Sequence, residues 1–243
     1  MNPLTGRCDV VGRGRMGQAL TAALTRAGLN VHGPLGRGTD GEGASLVLLC
    51  VPDREIESAA RLIQPGRPVG HVSASAPLAL LEPHPRFVLH PLLSVASADA
   101  RFTGATCAVD GDSPTTVGVA IALAERLGMR ARVIDAPRRA VYHAAASAAS
   151  NYVTTTLGMA ERLAAIAGLD RAALVPLIRS ATEQWAARGA HDALTGPIAR
   201  GDEVTVARQR EAVAVDAPEL LPLWDALVQA TRELAASGAE TST

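Results

Sequence analysis

Short apolar runs alternate with amphipathic stretches along the first half of the chain. Several runs are apolar at successive positions, which is typical of strands buried on both faces in a parallel sheet. The predicted strands are Cys8–Val11, Asn30–His32, Leu46–Val51, Pro68–Ser73, Arg86–His90, Thr106–Asp110 and Arg130–Ile134. The predicted helices are Met16–Ala27, Arg54–Ile63 and Pro114–Leu127. This alternation predicts an α/β domain with a doubly wound sheet.

The pattern changes after Asp135, where the strand signals end. An alanine-rich stretch with few helix breakers, Ala140–Ala167, predicts one long helix that ends at Gly168. The other expected elements are a helix from the Asp170 cap to about Ala187, a loop at Gly189–Gly201, helices at Glu203–Val215 and Pro218–Ser237, and a frayed tail at Gly238–Thr243. We therefore predict an α/β domain at residues 1–135 and an all-helical domain at residues 136–243.

Composition narrows the class of protein. The net charge of −1 gives no reason to expect nucleic acid or an acidic membrane surface as a partner. No apolar run reaches the roughly 20 residues that span a bilayer, and Met1–Arg7 lacks a signal-peptide pattern. Cys8, Cys50 and Cys107 lie in or beside apolar runs without metal-ligand spacing, so we expect free thiols, no metal site and a cytoplasmic protein.

All 23 residues in the combined count of lysine and arginine are arginine, so the chain contains no lysine. No step of any reaction at this protein can therefore use a lysine side chain as acid, base or Schiff-base former.

A glycine-rich loop, Gly12-Arg13-Gly14-Arg15-Met16-Gly17, follows the first predicted strand and opens the first predicted helix. In dinucleotide-binding folds, the first glycine permits a tight turn, the second lets the backbone approach a pyrophosphate, and the third lets the helix lie close to the strand. Free N–H groups at the helix N-terminus then face the anion. The order strand, loop, helix predicts a Rossmann-like dinucleotide site at these six residues; the alternative is a structural turn without a ligand.

The choice of dinucleotide depends on the end of the second strand. NAD-binding folds commonly carry an acidic residue there for the ribose 2′-hydroxyl, but this stretch has no acid before Asp40. Arg37 offers a planar fork for a 2′-phosphate, or is a solvated loop residue. We predict NADP, with NAD and the deazaflavin F420 as alternatives. Val51 and Pro52, after the third strand, are expected beside the cofactor.

Polar residues also follow other predicted strands. Asp53 is either a ligand contact or a helix cap. Ser73 and His90 end successive strands, so their side chains are expected in one crevice at the carboxyl edge of the sheet. His90 can exchange a proton near neutral pH, and Ser73 can bond a substrate oxygen. The structural alternatives are a loop cap for Ser73 and a fixed hydrogen bond for His90.

The long predicted helix carries a polar stripe, His143, Ser147 and Asn151, spaced four residues apart on a small apolar surface. Such a stripe faces solvent or lines a polar cleft; Tyr142 lies on an adjacent face. We expect His143 and Asn151 to act on a carbonyl or imine and Ser147 to contact the substrate. Arg200, in a loop before Asp202, is expected to bind a substrate carboxylate.

These residues resemble the Rossmann-like proteins that carry a C-terminal domain of unknown function 2520, within the 6-phosphogluconate dehydrogenase-like superfamily. The matching segments are Gly12–Gly17, Val51–Asp53, His90–Leu92, Tyr142–Ala146 with Ser150–Asn151, and Ala193–Pro197 with Arg200–Asp202. The resemblance implies an NAD(P)-binding domain, a helical domain that often forms a dimer, and a cleft between them. It implies no particular substrate.

Better-known relatives refine these expectations. β-Hydroxyacid dehydrogenases and ketopantoate reductases carry a Lys-x-x-x-Asn motif on the corresponding helix, whereas this chain has Ser147 and Asn151. His90-Pro91 resembles a motif of prephenate dehydrogenases, and the glycine loop resembles that of pyrroline-5-carboxylate reductases. We therefore expect an NADP-dependent oxidoreductase of a small oxo, hydroxy or imino acid, forming a homodimer. The alternatives are a cofactor-binding sensor or scaffold without turnover, and a non-standard ketopantoate reductase that uses His143 and Asn151.

Overall fold

The structure, a computed structural model, describes residues 3–237. Its strands are β1 (Cys8–Val11), β2 (Val31–Leu35), β3 (Leu46–Leu49), β4 (Val69–His71), β5 (Arg86–Pro91), β6 (Thr106–Gly111) and β7 (Arg130–Val133). They form one sheet in the order β2-β1-β3-β4-β5-β6-β7. The α/β sheet predicted from the alternating pattern is therefore confirmed. All seven predicted strands are present, the first with the predicted ends and the other six with shifted ends. The predicted tail Gly238–Thr243 lies outside the described residues.

The helices around and after this sheet are α1 (Arg15–Arg26), α2 (Ile56–Leu62), α3 (Pro114–Arg126), α4 (Arg139–Ser147), α5 (Val153–Ile166), α6 (Arg171–Arg188), α7 (Ala190–Ala193), α8 (Glu203–Asp216) and α9 (Leu221–Ser237). Short 3₁₀ turns are present at Pro3–Thr5, Asp53–Glu55, Leu78–Leu81, Ala136–Arg138 and Pro218–Leu220. Within the described residues, no helix is long and apolar enough to cross a membrane.

The sheet is parallel except for one pair of neighbouring strands, β5 and β6, which run antiparallel. The expectation of parallel pairing is therefore wrong at this position. Residues 92–105, between the two strands, contain no helix, so the chain turns back beside β5 instead of crossing over the sheet. β6 and β7, which α3 connects, are parallel again.

Both faces of the sheet are buried. Successive residues of a strand point to opposite faces, so neighbouring residues of an inner strand such as β3 belong to different apolar clusters. Leu46 and Leu48 of β3 belong to the apolar cluster that includes residues of α1 and α3. Val47 and Leu49 belong to the cluster that includes residues of α2. Continuous apolar runs therefore fit this fold, because both sides of an inner strand such as β3 are packed against helices.

The helical part departs from the predicted single helix at Ala140–Ala167. α4 ends at Ser147, a π-helical turn occupies Ala148–Tyr152, and α5 continues from Val153. The other end signals are confirmed. Gly168 has a positive φ of 79° just beyond α5, and Asp170 accepts a hydrogen bond from the Ala173 N–H at the start of α6.

Contacts between Cα atoms divide the chain into two compact units, with the boundary between Ser150 and Asn151 inside the π turn. The predicted domain boundary at residues 135/136 lies just after β7, which ends at Val133. As a domain boundary it stays a prediction.

Candidate functional site

The strand order of the sheet reverses at β1, which is where a crevice is expected at its carboxyl edge. The chain leaves β1 for β2 on one side and later returns to β3 on the other. In open α/β sheets, ligands bind at such a switch point beyond the carboxyl ends of the strands. The glycine loop follows β1, and Cys50–Asp53 follows β3, so the two predicted cofactor segments meet at this point.

The three loop glycines have three different environments. Gly12 has a φ of 123°, and a Cβ on it would lie 2.2 Å from the Cys50 carbonyl oxygen. A Cβ on Gly17 would lie 1.8 Å from the Gly12 carbonyl oxygen. A Cβ on Gly14 would meet no atom within 4 Å. Gly12 and Gly17 are therefore required by the fold, whereas no protein atom explains Gly14.

Gly14 stands at the N-terminus of α1, as the cap residue, and makes no side-chain capping bond. The first turn of α1 also contains no acidic residue. The first N–H groups of a helix lack partners within it and carry a partial positive charge. This end of α1, exposed at Arg13, Gly14 and Arg15, therefore fits an anion such as a pyrophosphate.

Two arginines lie near the end of β2. Arg37 is exposed and forms an ion pair with Glu55, which follows β3. The Arg13 guanidinium lies over Gly36, since a Cβ on that glycine would be 3.7 Å from Arg13 Nη2. A carboxylate therefore already partners Arg37, while Arg13 places a second guanidinium beside the end of the strand.

Asp53 does not cap a helix; its carboxylate is instead held by two hydroxyls. Ser73 Oγ donates to Asp53 Oδ2 over 2.8 Å, and Ser75 Oγ donates to the same oxygen over 3.1 Å. Ser73 Oγ also accepts bonds from the N–H groups of Ser75 and Ala76. The Ser73 hydroxyl thus stabilises the turn after β4 and orients Asp53; its role as a substrate contact stays a prediction.

His90 of β5 makes a hydrogen bond with the Tyr142 hydroxyl of α4, with 2.7 Å between Nδ1 and the phenol oxygen. The two rings meet edge to face at a centroid distance of 5.6 Å. His90 thus makes the fixed hydrogen bond that was its structural alternative. The partner in this bond, the Tyr142 hydroxyl, can itself transfer a proton.

Burial governs the protonation of this pair. It lowers the pKa of His90 to about 4, with further lowering by His143 and an opposing effect of Asp53. Burial also raises the pKa of Tyr142 to about 12. Both groups are therefore neutral at pH 7, and the Asp53 carboxylate acts on His90 through space.

A second histidine, His71, ends β4 in the core. Its Nδ1 accepts a bond from the Ser73 N–H over 3.2 Å, and its Nε2 has no hydrogen-bond partner among the residues that the structure describes. Burial first, and then the charge of Arg139, lower the pKa of His71 to about 4. His71 is thus a neutral, structural neighbour of the site.

The remaining predicted residues fall in different places. His143 is exposed one residue after Tyr142, and Ser147 is half-buried at the end of α4. Asn151 lies in the π turn, which interrupts the regular four-residue spacing of the stripe. Arg200 is exposed in the second unit, where Asp202 caps α8 by accepting from the Thr205 N–H. Their roles in catalysis or binding stay predictions.

Sequence reasoning gave too little weight to two residues of the site. Tyr142 precedes the predicted stripe, and its contact with His90 joins positions 52 residues apart. The partners of Asp53 come from the turn after β4. The signal that could have found both is the rule that strand ends converge at one edge, applied to Asp53 and extended to the helix after the last strand.

The sheet order, the switch-point crevice and the glycine loop define a Rossmann-like α/β fold joined to a helical unit. Solved structures share it over almost the whole chain. A Bacteroides fragilis protein provisionally named an NADP oxidoreductase has a TM-score of 0.82 at 19% identity, covering 95% of this chain and 99% of that one. A Thermotoga maritima protein has a TM-score of 0.77 at 21% identity, with coverages of 96% and 99%.

An Aspergillus terreus reductive aminase, solved with NADPH and ethyl levulinate, has a TM-score of 0.67 at 16% identity and covers 96% of this chain and 98% of that one. These likenesses show the fold. No curated protein sequence matches the chain.

Residues 105–231 match the profile of a family described as a domain of unknown function, number 2520. The match spans more than half of the chain, and the chain belongs to this family. The resemblance inferred from the sequence is thereby confirmed.

Proposed function

We propose that the protein is an NADP-dependent oxidoreductase that acts on a small oxo, hydroxy or imino acid. The observation that carries the proposal is the contrast among the three loop glycines. Gly12 and Gly17 are fixed by protein contacts, whereas Gly14 is surrounded by open space at a helix N-terminus. An open glycine at that point is what a close approach of pyrophosphate to the backbone requires.

The chain's own residues would hold such a cofactor in a defined way. The N–H groups that open α1 would bind the pyrophosphate, and Met16, Val51 and Pro52 would border the crevice. Bound in its reduced form, the nicotinamide supplies a hydride. Asp53, oriented by Ser73 and Ser75, would lie at the mouth of this crevice.

The choice of NADP over NAD and F420 rests on the end of β2. The chain has no acid between β2 and Asp40, the Arg13 guanidinium lies against Gly36, and Arg37 follows that glycine in the sequence. A 2′-phosphate would bind Arg13 directly and compete with Glu55 for Arg37. Glu55 therefore limits the affinity for the phosphate without removing the preference.

The His90–Tyr142 pair would handle the proton of the reaction. A phenol is the better donor and an imidazole nitrogen the better acceptor, so we assign the Tyr142 hydroxyl as donor to Nδ1 and the ring proton to Nε2. As negative charge develops on a substrate oxygen or nitrogen, the Nε2 proton passes to it. In the same step Nδ1 takes the phenol proton, so no imidazolate forms. Water then reprotonates the Tyr142 phenolate, and exchange with solvent returns the ring proton to Nε2. The imidazole stays neutral, as its lowered pKa requires.

Other residues remain proposed contacts. His143 and Ser147 follow Tyr142 on α4, and we propose them as further contacts because they belong to the helix that carries Tyr142. Asn151 and Arg200 are proposed for substrate binding on their chemistry, an amide for a polar oxygen and a guanidinium for a carboxylate. The names of the two structural relatives, an NADP oxidoreductase and an NADPH-bound reductive aminase, support a reductase of C=O or C=N bonds.

The test is a pair of measurements on the intact protein. NADPH binding is followed by nicotinamide fluorescence, and NADPH oxidation is followed with a panel of 2-oxo acids, ketopantoate and cyclic imino acids. Binding together with oxidation that needs one substrate class supports the proposal. Binding without oxidation by any of them indicates the sensor alternative, and oxidation with ketopantoate alone indicates the non-standard ketopantoate reductase.

We further propose that the protein is a homodimer formed through its helical unit. None of the eighteen residues of α6 is buried, and Leu177 and Trp185 on it are 69% and 60% exposed. Exposed large apolar side chains on a helix without a buried residue fit a surface that a second copy of the chain covers. Sedimentation should give twice the chain mass, and the double change L177E/W185E should give the monomer. A monomeric wild-type protein would refute this assembly.

The proposed location is the cytoplasm. Its support is the set of three free cysteines, Cys8, Cys50 and Cys107, which are all buried and unpaired.

A further inference from the structure

We infer that Arg139 is a positioning residue, which holds the first turn of α4 so that the Tyr142 hydroxyl meets His90. The inference rests on the proposed function of the His90–Tyr142 pair, and it concerns a residue that the sequence patterns do not single out. It is carried by the buried contacts of Arg139, by its place in the helix and by the spacing of two strands.

Arg139 is buried, with 8% of its side chain exposed, and its guanidinium bonds two other elements. Nη1 donates to the Ala76 carbonyl oxygen over 2.9 Å, in the turn after β4. Nη2 donates to Asp110 Oδ2 over 2.6 Å, on β6. The other carboxylate oxygen, Asp110 Oδ1, accepts from the Gly111 N–H, so the anion is itself fixed.

Helix formation does not explain this residue. Arg139 is the first residue of α4, where the helix dipole disfavours a positive charge. Burial adds a desolvation penalty that an ion pair often fails to offset, so buried pairs are poor sources of stability compared with apolar residues. Two unfavourable factors therefore act at one position. A role in fixing geometry accounts for keeping the charge there.

The spacing of the contacts shows what is fixed. Tyr142 lies three residues after Arg139, on the same face of α4. Their partners lie on adjacent antiparallel strands, where Asp110 pairs with Val88 and Ala108 pairs with His90. One turn of α4 therefore bridges two strand positions that are two residues apart on β6. Arg139 bonds Asp110 at one of them, and Tyr142 meets His90 beside the other. A void of about 10 Å³ lies among Arg139, Tyr142 and His90, so the three side chains border one space.

Arg139 also acts on the charge state of the site. Burial is the main cause that lowers the pKa of His71, and the positive charge of Arg139 lowers it further. The Asp53 carboxylate has the opposite effect on this pKa. Loss of Arg139 would therefore release the geometry of Tyr142 and remove one of the influences that lower the pKa of the buried His71.

The chain offers a clean probe, because it contains two tyrosines and the other one, Tyr152, is 64% exposed. In a Tyr152→Phe background, the absorbance of ionised tyrosine reports Tyr142 alone. With a pKa of about 12, Tyr142 should be only about a tenth ionised at pH 11. In R139Q, a phenol released toward its ordinary pKa should be mostly ionised at pH 11, about nine-tenths.

The experiment compares R139Q, R139K and D110N in that background, with circular dichroism at each pH to confirm folding. The expected result is early ionisation in R139Q and D110N and a smaller shift in R139K, which keeps the charge but not the two-pronged geometry. NADPH affinity should stay within about twofold of wild type while kcat falls more than tenfold. If R139Q does not fold, R139K and D110N decide the question.

Unchanged Tyr142 titration in the folded variants would overturn the inference, as would a fall in NADPH affinity that matches the fall in kcat. The titration needs no cofactor. A wild-type protein that binds no NADPH would therefore refute the proposed function and leave the role of Arg139 to the tyrosine measurement.

Discussion

The Tyr142 hydroxyl and His90 Nδ1 are 2.7 Å apart, and this bond joins the first helix after the sheet to an inner strand. Since both groups are neutral at pH 7, the bond fixes the ring orientation and the position of the imidazole proton. A positioned proton donor of this kind contributes about 10² to 10⁴ in rate.

We expect Tyr142→Phe to lower kcat by about a hundredfold, because it removes the proton source at Nδ1 but leaves the ring contact. The variant should keep its fold and its NADPH affinity. The measurement is steady-state kinetics on the substrate found in the panel, with Y152F, at an exposed tyrosine, as the matched control. Equal activity of Y142F and Y152F would contradict the role given to Tyr142.

The loop glycines should separate folding from binding. Gly17→Ala would bring a Cβ to 1.8 Å from a backbone oxygen, and Gly12→Ala to 2.2 Å at a positive φ. Each should lower the free energy of unfolding by about 2 kcal/mol or more. Gly14→Ala meets no protein atom and should change stability by less than about 1 kcal/mol, yet weaken NADPH binding. Denaturant unfolding and NADPH titration of the three variants check this order.

One result for Gly14→Ala would contradict the proposed pyrophosphate site. If Gly14→Ala binds NADPH as tightly as the wild type does, then the open space beside Gly14 is not the pyrophosphate site.

The arginines at the end of β2 should decide between NADP and NAD. Arg13→Ala should weaken NADP binding by about tenfold and leave NAD binding nearly unchanged, because only NADP offers a charged partner. Glu55→Gln should strengthen NADP binding, since it frees Arg37. Calorimetric titration of each variant with both cofactors measures the ratio. Equal losses for NADP and NAD in R13A would show that Arg13 does not recognise the 2′-phosphate.

The protein should begin to lose stability as the pH falls below about 6.5, which is well above the pH at which ordinary carboxylates titrate. The pKa values of His71 and His90 are lowered to about 4 in the folded protein, against 6.5 for a free histidine. Between these values the unfolded chain binds protons that the folded chain does not, so stability decreases as the pH falls from 6.5 to 4. Unfolding in urea at pH 7 and 4.5 measures the loss.

The matched control for this pH effect is His90→Gln, which cannot titrate. It should show a smaller difference in stability between pH 7 and 4.5 than the wild type does. An equal or larger difference in H90Q would contradict the low pKa assigned to His90.

The fold could be predicted because its signals are local. Strands such as Leu46–Leu49 are apolar at every position, and the glycines of the loop have a fixed order. The antiparallel placement of β6 could not be predicted, since it depends on how the long link after β5 returns to the sheet. The π turn at Ala148–Tyr152 was missed for a related reason, because alanine-rich sequence suits α and π turns alike.

The candidate site could be predicted only in part. Strand ends located His90 and Ser73 correctly at the carboxyl edge, because the direction of a parallel strand fixes where its end lies. Their partners come from distant segments. Tyr142 bonds His90, Asp53 takes the Ser73 hydroxyl, and Glu55 pairs with Arg37. Such pairings depend on tertiary contacts that no local pattern encodes.

The measurement that tests the central claim most directly is calorimetric titration of the intact wild-type protein with NADPH, beside the Gly14→Ala variant. The account predicts saturable binding of one NADPH per chain and an affinity at least about tenfold lower in G14A, with equal stability of the two proteins. Absence of binding to the wild type at millimolar NADPH would contradict it.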